Sequence, residues 1–140
     1  MKTKKSIISI LLIACLLIAV LLFFQRSTPF SKVSGDDWWI EGSFDDGQTL
    51  SDKECEELKS MLPEVIFKRA IWHQRGYEVT DDSLSVVAYK GDKASRRIDK
   101  MIYLEIIPGK ICFAYDDSFI TYVARDPSRL EEWIKTEIRG

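Results

Sequence analysis

The sequence predicts an α+β domain that follows one transmembrane helix. The first observation is an almost unbroken apolar run from Ile7 to Phe24. The second is a pair of segments that begin with helix-capping residues, and the third is a series of segments rich in β-branched and aromatic residues after Leu84. We therefore expect an antiparallel sheet packed by two or three helices. The expected division is a membrane helix over 1–24, a polar tether over 25–37 and an extracytoplasmic domain over 38–140.

The apolar run has the length and the flanking charges of a membrane anchor. Its 18 residues form a helix of about 27 Å, close to the roughly 30 Å of a hydrocarbon core. A cleavable signal has a shorter apolar centre, and the chain has no Ala-x-Ala cleavage site after Phe24. An uncleaved signal-anchor is therefore favoured. Because basic residues precede the run, we expect a cytoplasmic N-terminus and an exported domain; these residues are Lys2, Lys4 and Lys5.

Two alternatives to the anchor remain open. The first is secretion after signal cleavage. The second rests on Leu12-Ile13-Ala14-Cys15, which resembles the lipobox of bacterial lipoproteins and would imply lipidation of Cys15. However, the apolar run continues for nine residues beyond Cys15, where lipoproteins normally turn polar. The continuation favours the anchor over lipidation.

The first elements of the domain follow the tether. Residues 25–37 are polar and contain Pro29 and Gly35, which is typical of a linker. Residues 38–44 have the composition of a strand, and the turn Asp45-Asp46-Gly47 ends it.

The first helix of the domain is predicted from Ser51, which forms a capping box with Glu54. Cys55, Leu58 and Leu62 follow at helical spacing. Pro63 ends the helix. Residues 64–74 show neither helical nor strand period cleanly, and we interpret them as a second helix, with a strand as the alternative.

The second half of the domain is predicted to be mostly β. The expected strands cover 84–89, 98–107, 110–115 and 119–124. Short connections at Pro108-Gly109 and Asp116-Asp117-Ser118 require the last three strands to form an antiparallel meander over 98–124. Asp126-Pro127 then begins a final helix whose apolar stripe includes Leu130, Trp133 and Ile134.

Composition restricts the class of function. All 22 acidic residues lie after residue 30, together with 16 of the 20 Lys and Arg, which leaves that part with a net charge of −6. Such a domain is a poor candidate for sequence-independent nucleic-acid binding, which neutralises phosphates with basic residues. Outside the membrane helix the only cysteines are Cys55 and Cys112, and an oxidising compartment would favour a disulfide between them. The alternative is two separate buried thiols.

Neither metal nor cofactor chemistry is indicated. Four Asp-Asp pairs occur, but placing Gly47 at the glycine position of an EF-hand puts Phe44 and Lys53 at ligand positions. Turn-forming and capping aspartate is the favoured interpretation. His73 is the only histidine, and no sequence motif for a nucleophile, a phosphate loop or a zinc site is present.

Two segments are candidates for binding. The first is the basic run between Lys90 and Lys100, which has a net charge of +3; a solvated hairpin is the favoured interpretation, and contact with anionic lipid head groups or an acidic partner is the alternative. The second comprises the aromatic positions Trp38-Trp39 and the polar, aromatic stretch 72–75, because exposed tryptophan is typical of interface anchors. The candidate binding residues are Trp38, Trp39, Trp72, His73, Arg75, Lys93, Arg96 and Arg97.

Three functional hypotheses follow. The leading one is a membrane-anchored protein-binding module, such as an immunity protein, an inhibitor or an accessory subunit, whose partner is another envelope or secreted protein. The second is a small-ligand sensor, which predicts an apolar pocket lined by residues such as Trp39, Phe67 and Tyr122. The third is a hydrolase that uses His73, which is disfavoured because the sequence identifies no nucleophile or carboxylate to act with it.

Overall fold

The computed structural model describes residues 2–23, 26–70, 79–116 and 120–140. It contains three α-helices and seven strands in these ranges. In chain order they are α1 (Lys2–Phe23), β1 (Arg26–Ser27), β2 (Trp38–Phe44), α2 (Asp52–Met61), β3 (Phe67–Arg69), β4 (Leu84–Asp92), β5 (Arg97–Ile107), β6 (Ile111–Asp116), β7 (Thr121–Ala124) and α3 (Ser128–Trp133). A 3₁₀ turn (Leu62–Glu64) extends α2, and a π-helical turn (Ile134–Ile138) extends α3.

All seven strands join one antiparallel sheet in the order β1-β3-β7-β6-β5-β4-β2. Strands β5, β6 and β7 are neighbours, so the predicted meander and the α+β class are confirmed. The turn between β5 and β6 requires Gly109, whose φ of +71° favours glycine. We call this end of the sheet the turn end, and the opposite end, where β4 and β5 connect, the hairpin end.

The described helices of the domain pack on one face of the sheet. Side chains alternate along a strand and directly paired residues share a face, so Val86, Leu104 and Ala114 point the same way. These residues form one core with Leu58 of α2 and Leu130 of α3. The two helices also contact each other, because Nε1 of Trp133 donates a hydrogen bond to Glu57 at 3.3 Å.

The predicted cap is present at the start of α2, whereas α3 begins one residue later than predicted, with Pro127 and not Asp126 at its N-cap position. Ser51 and Glu54 form the reciprocal capping box that begins α2. Asp126 accepts hydrogen bonds from the backbone and hydroxyl groups of Ser128 at the start of α3. The sequence therefore locates both helices from local hydrogen-bonding chemistry.

The segment predicted to be a tether over 25–37 is instead part of the fold in its described residues. Phe30 is 1% exposed and Val33 is fully buried, and both belong to the domain core. The ring of Phe30 lies 5.6 Å from that of Phe67. Turn hydrogen bonds order the backbone, including one from Val33 N to Phe30 O at 3.1 Å. The polar composition conceals this because two apolar side chains are enough to hold the segment on the core.

The helix predicted over 64–74 is also corrected. After the 3₁₀ turn, residues Phe67–Arg69 form strand β3, which pairs with both β1 and β7. Phe67 is fully buried in the core whereas Lys68 and Arg69 are exposed. Strand formation here depends on distant partners, so the local period does not reveal it. The rest of the predicted helix, 71–74, lies outside the described residues.

Helix α1 is long and apolar enough to cross a membrane. Its candidate span, Thr3–Leu22, has a mean hydropathy of 2.8 and no buried residues. A membrane anchor and a signal sequence both fit these properties.

The predicted disulfide is not formed, since Cys55 and Cys112 are both free thiols. Cys55 lies in α2, which packs against β2, whereas Cys112 lies in β6. Three strand spacings separate β2 from β6, or about 14 Å. A disulfide requires Cα atoms within roughly 7 Å. The alternative of two separate thiols is therefore the observed arrangement.

Alkylation of the folded, detergent-solubilised protein tests this assignment. Burial raises the pKa of the Cys112 thiol to about 12, and that residue is 1% exposed. We expect N-ethylmaleimide at about pH 8 to leave Cys112 unmodified until the protein is denatured, because the reactive species is the thiolate. After denaturation without reductant, mass spectrometry should find both Cys55 and Cys112 alkylated. A linked Cys55–Cys112 peptide would contradict the structure.

Candidate binding surfaces

The basic residues predicted to bind a partner lie in the connection between β4 and β5. Lys93, Arg96 and Arg97 are all exposed there. The backbone needs glycine at Gly91, because φ is +148° and a Cβ would lie 1.9 Å from the carbonyl oxygen of Arg97. A β-bulge at Lys90–Gly91 accompanies this close approach. The hairpin is therefore a defined structural element rather than an irregular loop.

The two adjacent tryptophans point to opposite faces of the sheet, as strand alternation predicts. Trp38 is 6% exposed and belongs to the core under the helices. Trp39 lies on the second face and stacks on Tyr89 with 5.3 Å between ring centroids. Because Trp39 is only 8% exposed, neither ring is a freely accessible anchor.

The second face of the sheet carries a row of aromatic rings. Tyr103 and Tyr115 are directly paired and stack at 5.1 Å, and Phe113 lies 6.3 Å from Tyr115. All three are half-buried. Sequence reasoning missed this row, although the two-residue spacing of Phe113 and Tyr115 was a usable signal.

The same face contains one half-buried carboxylate, Glu105, which is paired across the sheet with Ser85 and Phe113. Burial raises the pKa of the Glu105 carboxyl, and the negative charge of Asp45 adds to the shift. The face is not uniformly open, since Ile107, Ile111 and Thr121 are each less than a tenth exposed. Glu105 is thus a polar group within a largely apolar surface.

The ligand pocket predicted for a sensor is not assembled from the expected residues. Trp39 lies on the second face, whereas Phe67 and Tyr122 lie on the helix face. Phe67 is fully buried against the core. Three further predicted binding residues, Trp72, His73 and Arg75, lie outside the described residues.

Arg139 binds several groups at the turn end of the sheet. Its Nη1 donates hydrogen bonds to Asp46 and Gln48, both at 2.8 Å, and its Nη2 donates to the carbonyl of Asp81 at 2.8 Å. The guanidinium carbon lies 4.0 Å above the ring of Phe44. Its buried Nε lies 3.6 Å from Asp82, which is a charge contact but too long for a hydrogen bond. Arg139 thereby fastens the C-terminus to two chain segments that are distant in sequence.

A cavity of about 510 Å³ opens beside this arginine. It lies between the turn at Pro108-Gly109 and the π-helical turn after α3. Its charged lining residues are Asp82, Glu131, Glu132, Lys135 and Arg139. Three carboxylates and two cations leave the cavity lining with a net charge of −1, whereas the hairpin end is net positive.

The described geometry thus provides two charged ends and an aromatic face as candidate binding surfaces. Within the described ranges, no group of three or more His, Cys, Asp or Glu is arranged to hold a metal ion. No sequence signal indicates the Arg139 contacts, because their partners lie far from Arg139 along the chain. Comparison with protein-family models, with curated proteins and with solved structures finds no match.

The Arg139 contacts predict a specific dependence of stability on pH. The hydrogen bond from Arg139 and then that from the Gln48 backbone lower the pKa of Asp46. A lowered pKa contributes stability above the unfolded value of about 3.9, and this contribution is lost as pH falls through the folded value. We expect Arg139→Gln to lower Tm at neutral pH and to flatten the decline of Tm below about pH 4.

The control for this experiment is Arg129→Gln, which removes an exposed ion pair with Glu64. Exposed pairs contribute little, so this variant should stay close to the wild-type curve at every pH. If Tm of Arg139→Gln declines below about pH 4 as steeply as Tm of the wild type, Arg139 does not hold Asp46 ionised.

Proposed function

We propose that the protein is a membrane-anchored extracytoplasmic protein-binding module that presents the acidic turn end to a partner. The observation that carries this proposal is the combination of an apolar helix ahead of the domain with a concave, acidic surface at the turn end. Helix α1 is the anchor in this proposal, with its lysines in the cytoplasm.

The structure of the turn end supports a role in recognition. The turn end brings Asp46, Asp82 and Glu131 together from three separate parts of the chain. Arg139 immobilises the loops that carry the first two of them. A rigid charged surface loses little conformational entropy on binding and attracts a partner of opposite charge. The proposed partner therefore presents Lys or Arg side chains to this end.

Two partner classes fit a module of this kind. An immunity or inhibitor function requires a secreted or invading protein as the partner, whereas an accessory function requires a resident subunit of a membrane complex. The acidic surface is compatible with both, so the identity of the bound protein distinguishes them.

The cavity itself supports a second candidate function, binding of a small ligand. Its volume of about 510 Å³ is within the range of small-molecule sites, and its lining includes both carboxylates and cations. Such a ligand would carry charges of both signs. This ligand would bind at the turn end, and not between the sheet and the helices.

Photocrosslinking of the full-length protein in cells that natively express it tests protein binding. A photoreactive amino acid at position 132, on the exposed surface of α3, should yield one discrete adduct with another protein. The matched control is position 56, an exposed glutamate of α2, where we expect no adduct. In the position-132 background, the double change Asp82→Asn and Glu131→Gln should reduce the adduct at least tenfold, because the charge attraction is removed.

The same cells test the topology. We expect the chain to remain in the membrane after alkaline washing, and external protease to digest the domain in spheroplasts. Absence of any adduct at position 132, or equal adducts at positions 132 and 56, would contradict protein binding at the turn end. A domain protected from external protease would contradict the extracytoplasmic location.

A further inference from the structure

The β4–β5 hairpin protrudes from the sheet. The last pair between β4 and β2 is Lys90 with Trp38, and the last pair between β5 and β6 is Ile102 with Asp116. Gly91 N donates one more hydrogen bond to the carbonyl of Asp37 at 2.9 Å, and beyond it the two strands continue alone to the turn at 93–96, about 15 Å from Lys90. The hairpin is therefore accessible from several sides within the described chain.

Three of the five basic side chains between Lys90 and Lys100 have no ion-pair partner among the described residues. Arg97 pairs with Asp99 at 3.3 Å, and Lys90 pairs with Asp37 at 3.7 Å. Among the residues that the structure describes, no carboxylate lies within ion-pair distance of the three other basic side chains. These side chains belong to Lys93, Arg96 and Lys100.

Asp92 does not offset these charges at the outer surface, because it forms part of the turn. Its carboxylate accepts hydrogen bonds from Ala94 N at 3.0 Å and from the Ser95 hydroxyl at 2.9 Å. These hydrogen bonds lower the pKa of Asp92 and hold the turn in its observed form. The protruding surface therefore presents cations.

An apolar side chain accompanies the cations. Ile98 is 46% exposed, and in the described part of the domain only Ile66 and Val79 are other large hydrophobic residues with comparable exposure. Exposed apolar residues among Lys and Arg are typical of surfaces that bind a bilayer, where the apolar group enters the interface and the cations bind phosphates.

The position of the hairpin relative to β1 permits contact with the bilayer that holds α1. Only two residues separate α1 from β1, which limits the link to about 10 Å. The registers place Arg26 level with Glu105, near the turn end, about 19 Å across the sheet from β5 and roughly 30 Å along it from the turn of the hairpin. The hairpin therefore reaches the bilayer when the sheet lies along the membrane surface.

We infer that the β4–β5 hairpin is a second membrane contact, which binds anionic phospholipid head groups through Lys93, Arg96 and Lys100 and inserts Ile98 into the interface. The inference rests on α1 being the anchor, as proposed above. Contact at two points lays the sheet along the membrane, because the short link keeps Arg26 near α1 while the hairpin lies roughly 30 Å further along the sheet.

Hydrogen exchange of the full-length protein in lipid nanodiscs tests this contact. One set of discs contains phosphatidylglycerol and the other contains only phosphatidylcholine. Each basic residue near an anionic surface contributes a factor of about five in affinity. We expect amides of residues 93–98 to exchange roughly tenfold more slowly in the anionic discs, while those of α3 do not change. High salt should remove the difference.

Charge reversal supplies the matched comparison. Lys93→Glu with Lys100→Glu should abolish the protection, whereas the same change at Lys110 and Lys135, toward the turn end, should preserve it. Protein that stays in the discs with equal exchange in both lipids would overturn the hairpin contact alone. Protein that leaves the discs on gel filtration would overturn the anchor and with it this inference. Equal loss of protection in both variants would also contradict a hairpin-specific contact.

Discussion

The packing of residues 26–37 onto the core determines how the rest of the domain is held. Phe30 and Val33 are buried beside Phe67, and β1 is hydrogen-bonded to β3. Folded structure therefore begins within two residues of the end of α1. A flexible tether of 13 residues would let the domain move far from the membrane, whereas this arrangement keeps Arg26 within about 10 Å of the end of α1.

The two ends of this attached sheet differ in charge. The hairpin end carries exposed cations and the turn end carries a cavity rimmed mainly by carboxylates. We propose that each end has its own target, lipid for the basic end and a basic protein for the acidic end.

The sequence predicts the parts of the fold that depend on local chemistry. The capping box at Ser51 and the turn at Pro108-Gly109 are such parts, and the structure contains both. Strand β3 and the burial of Phe30 were not predicted, because each depends on partners far along the chain. The candidate disulfide between Cys55 and Cys112 failed for the same reason, since strand order separates the two residues.

The candidate binding surfaces also divide into features that the sequence predicts and features that depend on residues far apart along the chain. The basic run could be identified from the sequence. Its protrusion and its position relative to β1 became known only from the pairing registers of the strands. The Arg139 contacts join residues about 90 positions apart and left no sequence signal. The aromatic row was present as a spacing of two in β6, yet its meaning depended on knowing that the described helices cover the other face.

Paramagnetic relaxation in nanodiscs measures the orientation of the domain most directly. The full-length protein is placed in anionic discs that contain a gadolinium-chelating lipid, and amide signals are compared between residues 93–98 and residues 28–33. The account predicts strong broadening in both segments, because α1 holds residues 28–33 near the membrane and the hairpin binds the head groups. Broadening of residues 28–33 without broadening of the hairpin would contradict contact at two points.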